Sequence, residues 1–228
     1  MNISSARIID RVVDCYHNYG LKTVIVISFI SLFDYLFDLK YGTDTVRQVE
    51  LKDLNIDSEN YSRGHRYALT PASVFKKLLK KADVPKESAF VDLGCGKGKI
   101  LLFAAEYGFK RVTGIEFSKE LSECCKKNVA IYKNKTGLKA HIEVVHSDVV
   151  HYTVKDDDDV FYLFNPFDEI ILGKVLDNIE ASYKRKPRTI YLLYYIPYHG
   201  NIVEKKGIFT KSDRYVINSC EFVVYIKT

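Results

Sequence analysis

No tryptophan occurs in the 228 residues, and there is no low-complexity tract, no internal repeat and no long block of one charge. Those absences remove repeat arrays, disordered chains and polyelectrolyte tails. The five cysteines (Cys15, Cys95, Cys124, Cys125 and Cys220) are odd in number and show no metal-ligand spacing. A disulfide framework and a metal site are therefore not expected, and the thiols read as reduced, in a cytoplasmic protein. A secretory signal is not expected either, because Asp10 and Asp14 precede the apolar stretch Val24–Phe33 and no small-residue cleavage site follows it. That stretch is about half the length of a membrane span, and Asp34 and Asp38 close it. It is expected to be a buried cover helix, with a peripheral membrane contact or a partner-protein contact as the alternative.

What is present is the balance of a folded globular protein, with 47% hydrophobic and 28% charged residues. Seventeen Tyr and thirteen Phe make an aromatic-rich core or pocket plausible. The net charge of +5 is mild, and the basic residues are interleaved with acids, so nucleic acid is not favoured as a partner. The densest basic run, Lys184-Arg185-Lys186-Pro187-Arg188, reads as a solvated helix-to-strand loop.

Along the chain, residues 1–60 read as a helical extension, with helices over Ser5–Asn18 and Leu21–Leu39 and a turn over Tyr41–Thr45. A second region, 61–228, opens with Thr70 as N-cap and Pro71 as the first residue of a helix. Strands and helices then alternate. Strands are expected over Ala89–Leu93, Arg111–Glu116, His141–His146, Asp159–Phe164 and Thr189–Ile196. Helices are expected over Lys99–Tyr107, Lys119–Lys133 (capped by Ser118) and Asp168–Tyr183. Two closing strands, Arg214–Asn218 and Glu221–Lys227, have no helix between them and imply an antiparallel edge. The fold class is α/β, a doubly wound, mostly parallel sheet.

Between the first strand and its helix lies Asp92-Leu93-Gly94-Cys95-Gly96-Lys97-Gly98-Lys99. A glycine-rich turn there lets the backbone approach a ligand closely. A dinucleotide fold wants G-x-G-x-x-G, and its third glycine position is here Lys99. Three further stations follow at strand ends: Glu116-Phe117-Ser118, Ser147-Asp148-Val149 and Phe164-Asn165-Pro166-Phe167.

This series resembles the class I, seven-strand, Rossmann-like S-adenosylmethionine (SAM)-dependent methyltransferases, over roughly Tyr61 to the C-terminus. The resemblance implies that Gly94, Cys95, Gly96 and Gly98 pack under the methionine part of SAM, with Asp92 near its amino group. It implies that Glu116 accepts the ribose hydroxyls, with Phe117 beside it, and that Asp148 and Val149 meet the adenine. Tyr67 and Thr70 are expected at the methionine carboxylate. Asn165-Pro166-Phe167 resembles the Asn-Pro-Pro-aromatic motif of N-methyltransferases with one proline missing. In such enzymes the Asn oxygen and a Pro carbonyl accept hydrogens of the target amine, and the aromatic ring packs on it. The layout is similar to an uncharacterised bacterial branch of the superfamily, with a fainter likeness to its protein lysine methyltransferases.

The expected activity is methyl transfer to a nitrogen of a protein side chain or small molecule. An O-methyltransferase using His65 or His199 as base, a non-catalytic SAM-binding or interaction protein, and a nicotinamide oxidoreductase are the alternatives. Tyr195 or Tyr198, with His199, is expected near the substrate pocket.

Overall fold

The computed structural model describes residues 28–29, 31–47, 49, 54, 58–64, 69–218 and 220–228. Seven strands form one sheet in the order β3-β2-β1-β4-β5-β7-β6. They are β1 (Ala89–Leu93), β2 (Arg111–Glu116), β3 (Ile142–His146), β4 (Asp158–Leu163), β5 (Ile190–Tyr195), β6 (Lys211–Ile217) and β7 (Cys220–Lys227). The first five pair in parallel, and β7 runs antiparallel to both β5 and β6. The expected doubly wound sheet with an antiparallel edge is thus observed.

Period-two alternation explains how the sheet carries helices on both faces. Val160 and Tyr162 of β4 enter one apolar cluster with Phe90 of β1, while Phe161 and Leu163 enter the opposite cluster with Val91 and Leu93. The first cluster is covered by α2 (Ala72–Ala82), α3 (Lys99–Tyr107) and α4 (Lys119–Thr136); the second by α5 (Glu169–Arg185) and α6 (Gly200–Lys206). The chain winds from β1 outward through β2 and β3, then returns to β4 on the other side of β1. The carboxyl ends of β1 and β4 therefore border a topological switch point, where open α/β sheets bind ligands.

Helix α3 is buried continuously from Lys99 through Ala105, which a helix resting only on a sheet would not be. Its outer side is covered by a helix over 31–41, α1. Phe37 of α1 packs on Phe103 at 5.1 Å and on Tyr132 of α4 at 5.5 Å between ring centroids. The Lys99 ammonium meets the Asp34 carboxylate at 2.9 Å, with both side chains buried. Asp38 folds the turn that follows: it accepts Thr43 Oγ1 (2.6 Å), Thr45 Oγ1 (2.7 Å) and the Thr45 and Val46 N–H groups (2.7 and 2.8 Å). Residues 34–46 are therefore packed onto the same core that begins again at residue 69, across the boundary expected near residue 60. The expected helix Ser5–Asn18 lies outside the described residues, as do residues 24–27 and 30 of the apolar stretch.

Several local expectations shift. Thr70 is not an N-cap: α2 starts at Ala72 after Pro71, and the Thr70 hydroxyl instead hydrogen-bonds Tyr162 Oη at 2.5 Å. Ser118 does cap α4, accepting from the Leu121 N–H, and Asp168 sits just before α5 as its cap, accepting from Ile170 and Ile171. Helix α6 was not expected. In the basic run, α5 extends to Arg185, and the Arg188 guanidinium is not solvated but donates to the carbonyls of Asp158 and Lys155. The four described cysteines are free, and no group of metal-ligating side chains occurs among the described residues.

Candidate active site

A crevice of about 940 Å³, counting the space open to solvent, lies over the carboxyl ends of β1, β2 and β4. Each station of the sequence series contributes to its wall, from Asp92, Gly94, Cys95 and Gly96 through Glu116 and Phe117 to Asp148, Val149, Pro166 and Phe167. Two expected residues do not line it, Gly98 and Asn165, and Tyr67 lies outside the described residues.

The glycine loop is held by groups that a phosphate site would leave free. The Gly94 and Cys95 N–H groups donate to the Ile115 carbonyl at 3.0 and 2.9 Å, and Gly98 N–H donates to the Cys95 carbonyl at 2.9 Å. Gly96 N–H donates to Glu116 Oε2 at 2.8 Å, while Ser118 N–H donates to Glu116 Oε1 at 2.9 Å. A pyrophosphate cradle needs such N–H groups aimed at the ligand, and no carboxylate among them. Two glycines here are structurally required. Gly94 has φ +91°, and a Cβ on it would come within 2.5 Å of Pro166 Cβ. Gly98 has φ +84°, and a Cβ on it would come within 2.4 Å of Cys125 Sγ. Gly98 thus serves packing against α4, not the crevice wall.

The crevice floor is acidic. Asp92 is 3% exposed; burial pushes its carboxyl well above the usual range, and repulsion from Glu116 pushes it further. Burial likewise raises Glu116, to about 7, against the opposing pull of the Ser118, Gly96 and Phe117 N–H groups. No cation among the described residues offsets Asp92. A buried carboxyl without a protein cation, beneath a loop that rejects phosphate, fits a cationic ligand with no phosphate. SAM, with its ammonium and sulfonium, has that chemistry, and the chain's residues fit it.

Across the crevice, burial alone would raise Asp148, but hydrogen bonds from Asn60 (2.8 Å), Ser58 (2.7 Å) and the Val150 N–H (3.1 Å) hold it below the usual carboxylate range. Its carboxylate is therefore engaged by the preceding segment, and Val149 beside it lines the crevice. That segment straps the mouth: Gly64 forms a bridge with Phe167, Arg63 pairs with Asp168 at 2.7 Å, and a Cβ on Gly64 would meet the Phe117 ring at 2.7 Å.

Asn165 differs most from expectation. Its φ is +42°, and its amide is turned into the framework. Nδ2 donates to the Ile196 carbonyl at 2.6 Å and Oδ1 accepts from Tyr194 Oη at 2.8 Å. A carbonyl can only accept, so this orientation of the amide is self-consistent. The oxygen expected to hold substrate thus accepts from Tyr194, and the amide ties the end of β4 to β5 and its exit loop. Tyr195 is buried against Phe164 and Phe222, Tyr198 is 73% exposed, and neither they nor His199 line the crevice.

The residue the sequence reading missed is Tyr162. It is paired in register with Asp92 on the neighbouring strand, lines the crevice, and is buried with its phenol bound to Thr70. A phenol in register with Asp92, within the otherwise apolar residues 160–164, was the available signal. Asn60 also lines the crevice, and its irregular, polar surroundings in the sequence carried no signal.

The family model for histone methylation protein DOT1 matches residues 37–157, just over half of the chain and inclusive of the glycine loop, Glu116 and Asp148. A protein-lysine N-methyltransferase of Saccharolobus islandicus (strain REY15A) is 26% identical over 91 residues, 40% of this chain; that match spans 54% of the relative's length, about half of it. A SAM-dependent methyltransferase of Aquifex aeolicus superposes with a TM-score of 0.54 at 18% identity, covering 68% of this chain and 89% of that one. An RNA methyltransferase of Salinibacter ruber, solved with S-adenosyl-L-homocysteine, gives a TM-score of 0.50 at 19% identity, covering 71% and 93%. At these identities the two structures speak for the fold alone.

Proposed function

This chain belongs to the histone methylation protein DOT1 family, and we propose from that premise that it methylates a nitrogen, the side-chain amine of a protein lysine. It is a SAM-dependent methyltransferase of class I. The observation that carries the nitrogen reading is the family match over 37–157, joined by the similarity to a protein-lysine N-methyltransferase. The chemistry of the crevice is compatible. SAM supplies a methyl already activated by its sulfonium, so the chain needs to align the amine and exclude water.

In this reading Asp92 receives the ammonium of SAM, and the loop of Gly94, Cys95 and Gly96 lies beneath its amino-acid part. Thr70 and Tyr162 close that end of the crevice, with Tyr67 the further expected contact. Glu116 offers the lone pairs left by Gly96 and Ser118 to the ribose, with Phe117 beside the sugar and adenine. The Val149 backbone and the Asp148 turn face the base. The Pro166 carbonyl accepts a hydrogen of the incoming amine, and Phe167 packs on its carbon stem. Asn165 keeps that Asn-Pro-Phe turn in place, a shortened version of the motif suited to an amine on a flexible stem.

A neutral amine can attack without a dedicated base, and none of the described histidines lines the crevice. The packing of residues 34–46 on α3 and α4 further suggests that the catalytic unit starts upstream of residue 61. The test is incubation of the full chain with SAM tritiated in its methyl group and a fractionated lysate. Label recovered as methyl-lysine after protein hydrolysis supports the proposal. Label confined to RNA, lipid or small molecules refutes it.

A further inference from the structure

Of the eleven large apolar side chains exposed among the described residues, six lie on the helical residues 28–29 and 31–41: Phe29, Leu32, Phe33, Tyr35, Leu36 and Leu39. Their spacing of three and four follows one side of a helix. The two acids that close the apolar stretch in the sequence point the other way. Asp34 is 4% exposed and paired with Lys99, and Asp38 is spent on Thr43, Thr45 and Val46. The inward side of this helix thus meets the core through Phe37 and two engaged acids, while the outward side presents apolar side chains to solvent and carries no acid.

The structure assigns this outward face to a lipid bilayer surface, on which the helix lies flat. Charge supports that occupant over a protein groove. Lys40 is the only basic residue of 31–41, and it is exposed beside Leu39. Arg47 is 76% exposed on its side chain, and Lys135 reaches to Gly42 at the end of the same helix. The one acid nearby, Asp44, is shared between Lys97 and Arg47. A basic rim around Phe, Leu and Tyr side chains matches anionic headgroups over an acyl layer. In the sequence, the residues from Thr23 to Phe33 add no charge, so the apolar character continues upstream. No described helix is long and apolar enough to cross a membrane.

The proposal is tested by sedimentation of the full chain with vesicles of phosphatidylcholine, with and without phosphatidylglycerol. The variant carries Phe33→Asp and Leu36→Asp, both on the outward face, and retention of SAM binding certifies its fold. The wild-type chain should pellet with vesicles, more strongly on the anionic ones and less so in high salt, and the variant should lose at least about tenfold in partitioning. Absence of wild-type binding to either vesicle overturns the proposal. So does a concentration-dependent dimer, formed without lipid, that the same substitutions dissolve, because a second copy would then be the occupant.

Discussion

The hydroxyl of Tyr194 donates to Asn165 Oδ1 at 2.8 Å while accepting the His199 N–H at 3.3 Å, so β5 and the loop after it hold the turn that ends β4. Asn165 sits at φ +42°, a conformation that a side-chain anchor helps to retain. Tyr194→Phe removes the donor to Asn165 Oδ1 and the acceptor of the His199 N–H and should cost about 1–3 kcal/mol of stability. Turnover should fall about tenfold while SAM affinity holds, because Pro166 and Phe167 lose their support. Denaturant unfolding together with separate measurements of kcat and SAM binding checks both halves.

Gly94 and Pro166 touch across the crevice floor, and there is no room for a methyl group between them. Gly94→Ala also meets φ +91°, which an L side chain rarely adopts. The variant should lose the thermal stabilisation given by SAM and about 1–3 kcal/mol of intrinsic stability. Thermal melts with and without SAM read the two effects separately.

Glu116 retains its proton up to about pH 7 in the folded chain, against 4.5 ordinarily, and Asp92 is raised in the same direction. The folded state then binds more protons than the unfolded one between those values. Stability of the ligand-free chain should therefore fall as pH rises from about 4.5 to about 7. Asp148 and Asp168, held below the usual range, act in the opposite sense only at lower pH. SAM affinity should move the other way and tighten toward pH 7 and above, as carboxylates ionise beside its ammonium. Calorimetry across pH 5.5–8 checks this, and Glu116→Gln should flatten the stability profile.

The alternation of strands and helices was legible because each period is local, and β1, β2 and α3 begin and end where the pattern placed them. Motif residues at strand ends were legible because topology brings all strand ends of a parallel sheet to one edge. Partners distant in sequence were not. Asp158 belongs to a run of four aspartates, yet it is fully buried, accepting from Arg111 at 2.7 Å and from Tyr152 at 2.8 Å. Lys97 and Lys99 stand beside the start of a helix with no charged neighbour in sequence, yet both are buried against Asp44 and Asp34. The hydrogen bonds of Asn165 were hidden for the same reason, since its partners lie about thirty residues away on β5 and its exit loop.

The buried pair of Lys99 and Asp34 ties α1 to the helix that follows the glycine loop. Burial lowers the Lys99 ammonium, and the Asp34 hydrogen bond opposes that. Asp34→Ala should cost about 3–5 kcal/mol by stranding the ammonium. Combining Asp34→Leu with Lys99→Met should cost much less than the sum of the single changes. A double-mutant cycle in urea measures the difference.

Calorimetric titration of the full chain with SAM and, separately, with NAD bears most directly on a crevice shaped for a cationic, phosphate-free nucleoside. SAM should bind in the micromolar range, Asp92→Asn should weaken it by at least about tenfold, and NAD should give no heat of binding. Binding of NAD, with no SAM bound at millimolar concentration, would contradict the account.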